Sequence, residues 1–262
     1  MVLIPLAVRP TRRLSRVIER EIIVAQAVWI YVVSGFFEPV FFLFSIGVGI
    51  GHLVGGIPVG HHLVPYREFV APAMLASSAM NGAVFSTTFS IFAKLKFQKT
   101  FDAMVATPLS VGDIVLGEIG WAIVRGGFYG IAFLGVMVAL GLVHSLWALL
   151  VPPVALLIVF CFAGIGMAGT SFMRTWQDFD FVTLALLPLF LFSGTFSPLG
   201  AYPPAVRLIV KATPLYQGVA ICRGLVLGQV GPVLIAHAAY LAIAGTVGLI
   251  IATRRFGRLL LG

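Results

Sequence analysis

Charged side chains are scarce in this sequence. Asp, Glu, Lys and Arg make up 10% of the 262 residues, whereas an ordinary globular domain has about a quarter. Apolar residues reach 60% and run in long unbroken stretches. This composition excludes a water-soluble domain. Because a membrane-spanning barrel would show segments of about 10 residues with alternating polarity, the fold class is predicted to be an all-α polytopic membrane protein.

Cysteines, phosphate-binding loops and clustered acids are also lacking. Cys161 and Cys222 are the two cysteines, and their different surroundings do not indicate a disulfide. No Gly-Lys dipeptide occurs, so the chain has no P-loop for ATP. Asp102 and Asp113 are 11 residues apart, and the acids do not cluster as a catalytic metal site requires. The sequence therefore predicts no catalytic residue, no metal ligand and no cofactor in this chain, which is not expected to be an enzyme.

Six apolar stretches are predicted to form membrane-spanning helices, although the fifth is shorter than the usual span of about 20 residues. They belong to a single domain, residues 1–262, and lie at about 25–54, 69–93, 111–142, 146–172, 181–196 and 230–253. Between the last two, Ala205–Ala212 and Leu215–Leu227 are too short to cross the membrane. They are predicted to be re-entrant or interfacial helices.

The N-terminal segment 11–23 is predicted to be an amphipathic helix at the membrane surface. At 3.6 residues per turn its arginines fall in one stripe, and apolar residues lie opposite. The stripe consists of Arg12, Arg13, Arg16 and Arg20. A cluster of arginines before a first span also serves orientation alone, and this alternative stays open.

The net charge of +8 is unevenly distributed. Of the 17 basic residues, 12 fall at the termini and in the second and fourth loops, four fall in the other loops, and Arg125 falls within a span. Because basic residues accumulate on the cytoplasmic side, both termini are predicted to be cytoplasmic. The expected partners of these residues are membrane lipids and not nucleic acid.

The loop 94–113, KLKFQKTFDAMVATPLSVGD, is the longest polar stretch between two spans. Within it, Thr100–Ala106 is predicted to form two helical turns that Pro108 ends. Ser110 and Asp113 have the spacing of a capping pair and are predicted to start the third span. The loop is therefore predicted to be the element at which a cytoplasmic partner docks.

Charged residues inside the spans are candidates for a polar pathway or gate, because a charge at bilayer depth has to face protein or water. Glu118, Trp121 and Arg125 share one face of the third span. Glu38, Trp121 and Arg125 are predicted to line the path or its gate. Structural alternatives stay open for both charged residues. Glu38 could form a hydrogen bond within its helix at the kink of Pro39. Arg125 could snorkel to the membrane surface or pair with Glu38 on another helix.

Three parts of the sequence carry a family resemblance. They are Phe97–Ile119 (FQKTFDAMVATPLSVGDIVLGEI), residues 36–44 (FFEPVFFLF), and residues 191–203 with 212–225 (LFSGTFSPLGAYP and ATPLYQGVAICRGL). Together they resemble the permease subunits of type-2 ABC exporters. Within that group the NodJ-like branch, associated with lipooligosaccharide export, is the most similar, and polysaccharide and drug exporters are more distant.

The resemblance implies a permease of the bacterial inner membrane that dimerises and binds two copies of a separate cytoplasmic ATPase, which holds ATP and Mg. The N-terminal amphipathic helix and the loop 94–113 would contact this ATPase. The implied coupling residues are Lys99, Thr100, Phe101, Asp102, Pro108, Ser110, Gly112, Asp113 and Glu118.

Two other functions are open from the sequence. A membrane-embedded transferase for lipid-linked substrates would show metal-dependent turnover by the isolated chain. A non-transporting membrane anchor would tolerate neutral replacements of Glu38, Glu118 and Arg125, since an anchor does not need charges at bilayer depth.

Overall fold

The computed structural model describes residues 17–24, 37, 40–45, 49, 51–54, 56–59 and 62–261, and these residues form helices and one β-hairpin. Residues 17–24 form α1, and 40–44 and Gly51–Val54 are also helical. The later helices are α2 (Tyr66–Lys96), α3 (Thr100–Val105), α4 (Val111–Ala139), α5 (Val151–Thr170), α6 (Phe179–Phe192), α7 (Pro204–Ala212), α8 (Pro214–Val226) and α9 (Val233–Leu261).

Four helices among the described residues are long and apolar enough to cross a membrane. They are α2, α4, α5 with the preceding turn Leu146–Leu150, and α9, which correspond to the predicted spans two, three, four and six. α6 has 14 residues and rises about 21 Å, less than a hydrocarbon core of about 30 Å. The predicted span 25–54 lies largely outside the described residues. The six-span layout therefore stays a prediction.

The hairpin lies between residues 54 and 66 and is not part of the all-α prediction. Its strands, Gly56–Val59 and His62–Pro65, are antiparallel, and Ile57 pairs with Val64. These two β-branched side chains are buried, whereas Pro58 and Leu63 are exposed. Each strand has only four residues with alternating burial, and each contains a proline. So short a pattern does not indicate a strand from the sequence alone.

α2 is the central helix of the bundle, and α4, α5 and α8 pack around it. Its apolar window is 83% buried inside the protein. It contains a π-helical segment, Ser86–Ser90, in which the hydroxyls of Ser86, Thr87 and Thr88 donate to carbonyls four residues earlier at 2.7–2.8 Å. These bonds satisfy the polar side chains where no water is present.

The two ends of the bundle differ in what they carry. Residues 97–110 and 171–178 lie at one end, here named the loop end, where Phe97 contacts Trp176. The turn 140–145, α7 and α8 lie at the other, here named the turn end, where the His144 backbone N–H donates to the Val226 carbonyl. α7 and α8 begin and end within one residue of the predicted short helices. α9 instead continues through the arginines at 254, 255 and 258, which the prediction placed after the last span.

A glycine contact holds α5 against α9. A Cβ atom built at Gly164 would lie 2.5 Å from the Gly245 carbonyl oxygen, and one built at Gly248 would lie 2.5 Å from the Gly164 carbonyl carbon. Because the opposing atoms are backbone, no side chain can move aside. Gly164 and Gly166 therefore serve helix packing, Gly164 against α9 and Gly166 against Thr87. Gly169, the next glycine of α5, has nothing within 4 Å.

We expect Gly164→Ala to destabilise the protein by about 1–3 kcal/mol, because the added methyl forces the two helices apart. Gly169→Ala is the matched control on the same helix, and it should be neutral or stabilising by up to about 1 kcal/mol. Thermal unfolding of both variants in the same detergent measures the difference. An equal effect of the two substitutions would contradict this packing.

Candidate functional site

The loop end carries the predicted docking segment. Lys99 has a left-handed backbone conformation with φ of 48°, and α3 begins at the next residue. The Ser110 hydroxyl accepts from the Asp113 N–H at 3.1 Å, while the Asp113 carboxylate accepts from the Ser110 N–H at 3.0 Å. The structure thus confirms the short helix and the capping pair that starts α4.

The residues of the predicted coupling region divide into an exposed group and a buried one. Lys99, Asp102, Pro108 and Ser110 are exposed, and Thr100, Gly112 and Asp113 are half-buried. The buried members are Phe101 and Glu118. Phe101 packs edge-on against Phe256 of α9, with ring centroids 6.0 Å apart. The exposed group is the surface that a partner can reach, whereas Phe101 attaches α3 to the bundle.

Glu118 belongs to a buried ion cluster. The Lys94 Nζ lies 2.7 Å from Glu118 Oε2 and 2.8 Å from Glu21 Oε2, and each of these side chains is at most 7% exposed. Arg20 Nη1 lies 2.7 Å from Glu21 Oε1 at the edge of the cluster. The cluster joins α1, α2 and α4. Sequence reasoning singled out Glu118 and Arg20 but not Glu21, and took Lys94 only as a marker of the cytoplasmic side.

Two glycines of α4 seat α1 beside this cluster. A Cβ at Gly117 would lie 2.5 Å from Val17 Cγ1, and one at Gly120 would lie 3.1 Å from Ile18 Cδ1. Val17 is 2% exposed. The apolar face of the N-terminal helix therefore packs on protein in the part that is described, and the predicted residues Arg12, Arg13 and Arg16 lie outside it.

The predicted gate residues of α4 lie further along the same helix. Arg125 Nε donates to the Tyr129 hydroxyl at 3.1 Å, and Nη1 donates to the Ser86 hydroxyl at 3.4 Å. Trp121 is half-buried. Arg125 thus contacts the π-helical segment of α2. Its predicted pairing with Glu38 stays a prediction, because Glu38 lies outside the described residues.

An aromatic cluster at the loop end links α2 to the start of α6. The Trp176 ring stacks on Phe97 at 5.4 Å, and Phe89 stacks on Phe179 at 4.1 Å. Next to it, the Asp178 carboxylate accepts from the N–H groups of Arg174 and Thr175. These hydrogen bonds hold the pKa of Asp178 below its ordinary value. Aromatic contacts therefore connect the docking loop to α6.

In the described part of the chain, two cavities flank α6. The larger has a volume of about 710 Å³, lies between α2, α5 and α6, and opens near Arg174 and Asp178. The smaller has a volume of about 250 Å³ and lies between α2 and α6. Trp121 and Arg125 line neither of them. These two cavities therefore lie beside α6, and neither borders the predicted face of α4.

A half-buried arginine at the turn end escaped sequence reasoning. The Arg223 guanidinium lies 3.6 Å from the centroid of the Phe69 ring and donates to the carbonyls of Phe69 at 3.2 Å and Gly194 at 2.8 Å. Gly194 has φ of +71°. Arg223 thereby fastens α8 to the start of α2 and the end of α6. Its sequence signal is an arginine in an otherwise apolar short helix.

The long apolar helices and the apolar cavities define a polytopic membrane protein, and in the described part of the chain no three His, Cys, Asp or Glu side chains converge on a possible metal site. The ABC-2 type transporter family model matches residues 12–227, and the chain belongs to this family.

Individual relatives agree with this assignment. The chain is similar to Nodulation protein J of Rhizobium leguminosarum bv. viciae, with 35% identity over 193 residues that cover 73% of each chain. It is 32% identical to Nodulation protein J of Sinorhizobium fredii (strain NBRC 101917 / NGR234) over 207 residues, which cover 79% of this chain and 78% of the relative. The inner membrane transport permease YadH of Escherichia coli (strain K12) is 27% identical over 172 residues, 63% of this chain and 64% of the relative.

Proposed function

We propose that this chain is the membrane permease of an ATP-driven exporter that moves an amphipathic or lipid-linked substrate out of the cytoplasm. The candidate substrates are a lipooligosaccharide, a polysaccharide or a drug. The family match over residues 12–227 carries the proposal, and relatives named as nodulation protein and inner membrane transport permease support it.

The proposal assigns ATP and Mg to a separate cytoplasmic ATPase, present in two copies beside two permease copies. The exposed group of the loop end supports a docking role for 94–113, because Lys99 and Asp102 both present charged side chains at the surface. In this arrangement the chain spans the bacterial inner membrane six times with both termini in the cytoplasm. The excess of basic residues at the termini and the loop end supports that orientation.

The coupling step follows from the contacts at the loop end. A displacement of α3 reaches α4 through the capped start at Ser110 and reaches α9 through Phe101 and Phe256. It reaches α6 through Phe97 and Trp176. Closure of the ATPase pair would in this way move the helices that border the two cavities.

The docking role is tested by reversing charge on the exposed surface. We expect Lys99→Glu combined with Asp102→Lys to lower the ATPase activity that purifies with the protein from its native membrane by about tenfold, a loss of about 1.4 kcal/mol in partner affinity. Lys211→Glu, exposed at the turn end, is the matched control.

Surface substitutions of this kind should change stability by less than about 0.5 kcal/mol, so the melting temperature of both variants should match that of the parent. If the double variant keeps both its fold and its ATPase activity, the exposed part of this loop is not the docking site.

A further inference from the structure

The 250 Å³ cavity between α2 and α6 has a polar wall within the bundle. Ser77, Ser78 and Asn81 line it from α2, and Thr183 lines it from α6. The spacing of the α2 residues places them on one face of that helix. None of the described residues that line this cavity is Asp, Glu, Lys or Arg.

Thr183 donates to the Phe179 carbonyl at 3.3 Å, but the polar groups that α2 contributes to this wall are unpaired in the described part of the chain. Ser77 is 2% exposed, and its hydroxyl has no hydrogen-bond partner there. The hydroxyl of Ser78 and the amide of Asn81 form no hydrogen bond there either, although the hydroxyls of Ser86, Thr87 and Thr88 on the same helix all do. An unpaired buried hydroxyl costs about 1–3 kcal/mol, and polar groups at bilayer depth mark substrate pathways.

We propose that this cavity binds the neutral, hydroxyl-bearing head group of an amphiphile, such as one sugar ring of a glycolipid. Ser77 and Ser78 can donate to and accept from hydroxyls, and the Asn81 amide offers two donors and an accepting oxygen. The described lining residues carry no charge, which fits a neutral group. Phe42 and Phe190, edge to face with centroids 6.0 Å apart, supply flat apolar surfaces for the C–H faces of such a ring.

The size of the cavity limits what enters. Its volume is just below the range of about 300–1,000 Å³ in which drug-sized ligands bind, so it accommodates one ring and not an oligosaccharide. This site deepens the proposed export function, on which it rests, by naming the chemistry of the substrate portion that contacts α2 and α6.

Cysteine labelling tests the site without ATP or any partner protein. A Thr183→Cys reporter faces the cavity from α6 and leaves the α2 wall intact, and a Ser90→Cys reporter on α2 lies outside the cavity. The native Cys161 and Cys222 are fully buried. In phosphatidylcholine vesicles, addition of monoglucosyl diacylglycerol should slow maleimide labelling of Thr183→Cys by about fivefold and leave Ser90→Cys unchanged. Diacylglycerol with the same chains should have no effect.

Two wall variants identify the groups responsible. Asn81→Leu and Ser77→Ala should each abolish most of this protection, while Ser77→Ala leaves the melting temperature unchanged or raises it, because an unpaired hydroxyl is removed. Protection that persists in both variants, or equal protection by diacylglycerol, would overturn the proposal. So would a Thr183→Cys that is unreactive in every lipid, since a second copy then covers the wall. Because ATP is not involved, loss of protection and loss of ATP-driven export are separate results.

Discussion

Replacing Lys94 by methionine is expected to lower the free energy of unfolding by about 3–5 kcal/mol. The substitution keeps the length of the side chain but removes the cation between two carboxylates, those of Glu21 and Glu118, each of which lies within 2.8 Å of Lys94 Nζ. Both carboxylates are at most 5% exposed, so water cannot replace the lost partner. Denaturant titration of the purified protein in mixed micelles measures the change in the free energy of unfolding.

The control for this prediction is Lys96→Met, two residues further along α2. Lys96 is exposed, so its loss should change stability by less than about 0.5 kcal/mol. The triple replacement Lys94→Met, Glu21→Leu and Glu118→Leu should recover most of the loss, because apolar groups of similar volume often replace a buried ion cluster at little cost. A triple variant as unstable as Lys94→Met would show that packing, and not unpaired charge, explains the effect.

In the proposed coupling mechanism, the ion cluster holds the end of α2 against α4. Glu118 is in α4, eight residues after its capped start at Ser110, and Lys94 is near the end of α2. A displacement of the docking loop therefore acts between two helix ends that this cluster ties together. Under the proposed function, a variant that keeps its fold but lacks the cluster should hydrolyse ATP in complex with its partner and export poorly, because α4 then moves without α2.

Local chemistry is what the sequence predicted well. The bounds of α7 and α8 follow from the prolines that begin them, and the start of α4 follows from the Ser110 and Asp113 spacing. Such signals depend on residues a few positions apart, which one stretch of sequence contains. Family membership was accessible for the same reason, since the motifs that carry it are local.

Contacts between distant residues were not predictable in this way. Lys94 and Glu118 are 24 residues apart, and Glu21 follows an arginine-rich segment in which only the arginines were singled out. The wall of Ser77 and Asn81 was also missed, because small polar residues do not interrupt an apolar run enough to attract notice. Only the packing of α6 beside α2 shows that these groups face a cavity.

Phe101→Ala should be the second large effect, with a loss of about 3–5 kcal/mol if α3 unfolds together with the bundle. Phe101 and Phe256 are both fully buried, and their edge-to-face contact fastens α3 to α9. Asp102→Ala on the exposed side of the same helix is the control, with an expected change of less than about 0.5 kcal/mol. Unfolding of the two variants under identical conditions gives the comparison.

A double-mutant cycle with Phe256→Ala isolates the ring contact. The coupling energy between the two positions should be about 0.5–1.5 kcal/mol, as for other aromatic pairs, and additive effects would show that the rings do not act together.

The cycle also separates two ways in which Phe101 could serve export. If Phe101 contacted the ATPase directly, its replacement would weaken partner binding whatever stands at 256. Because the ring is buried against α9, we expect Phe256→Ala alone to reproduce the export defect of Phe101→Ala, although residue 256 lies outside the docking loop.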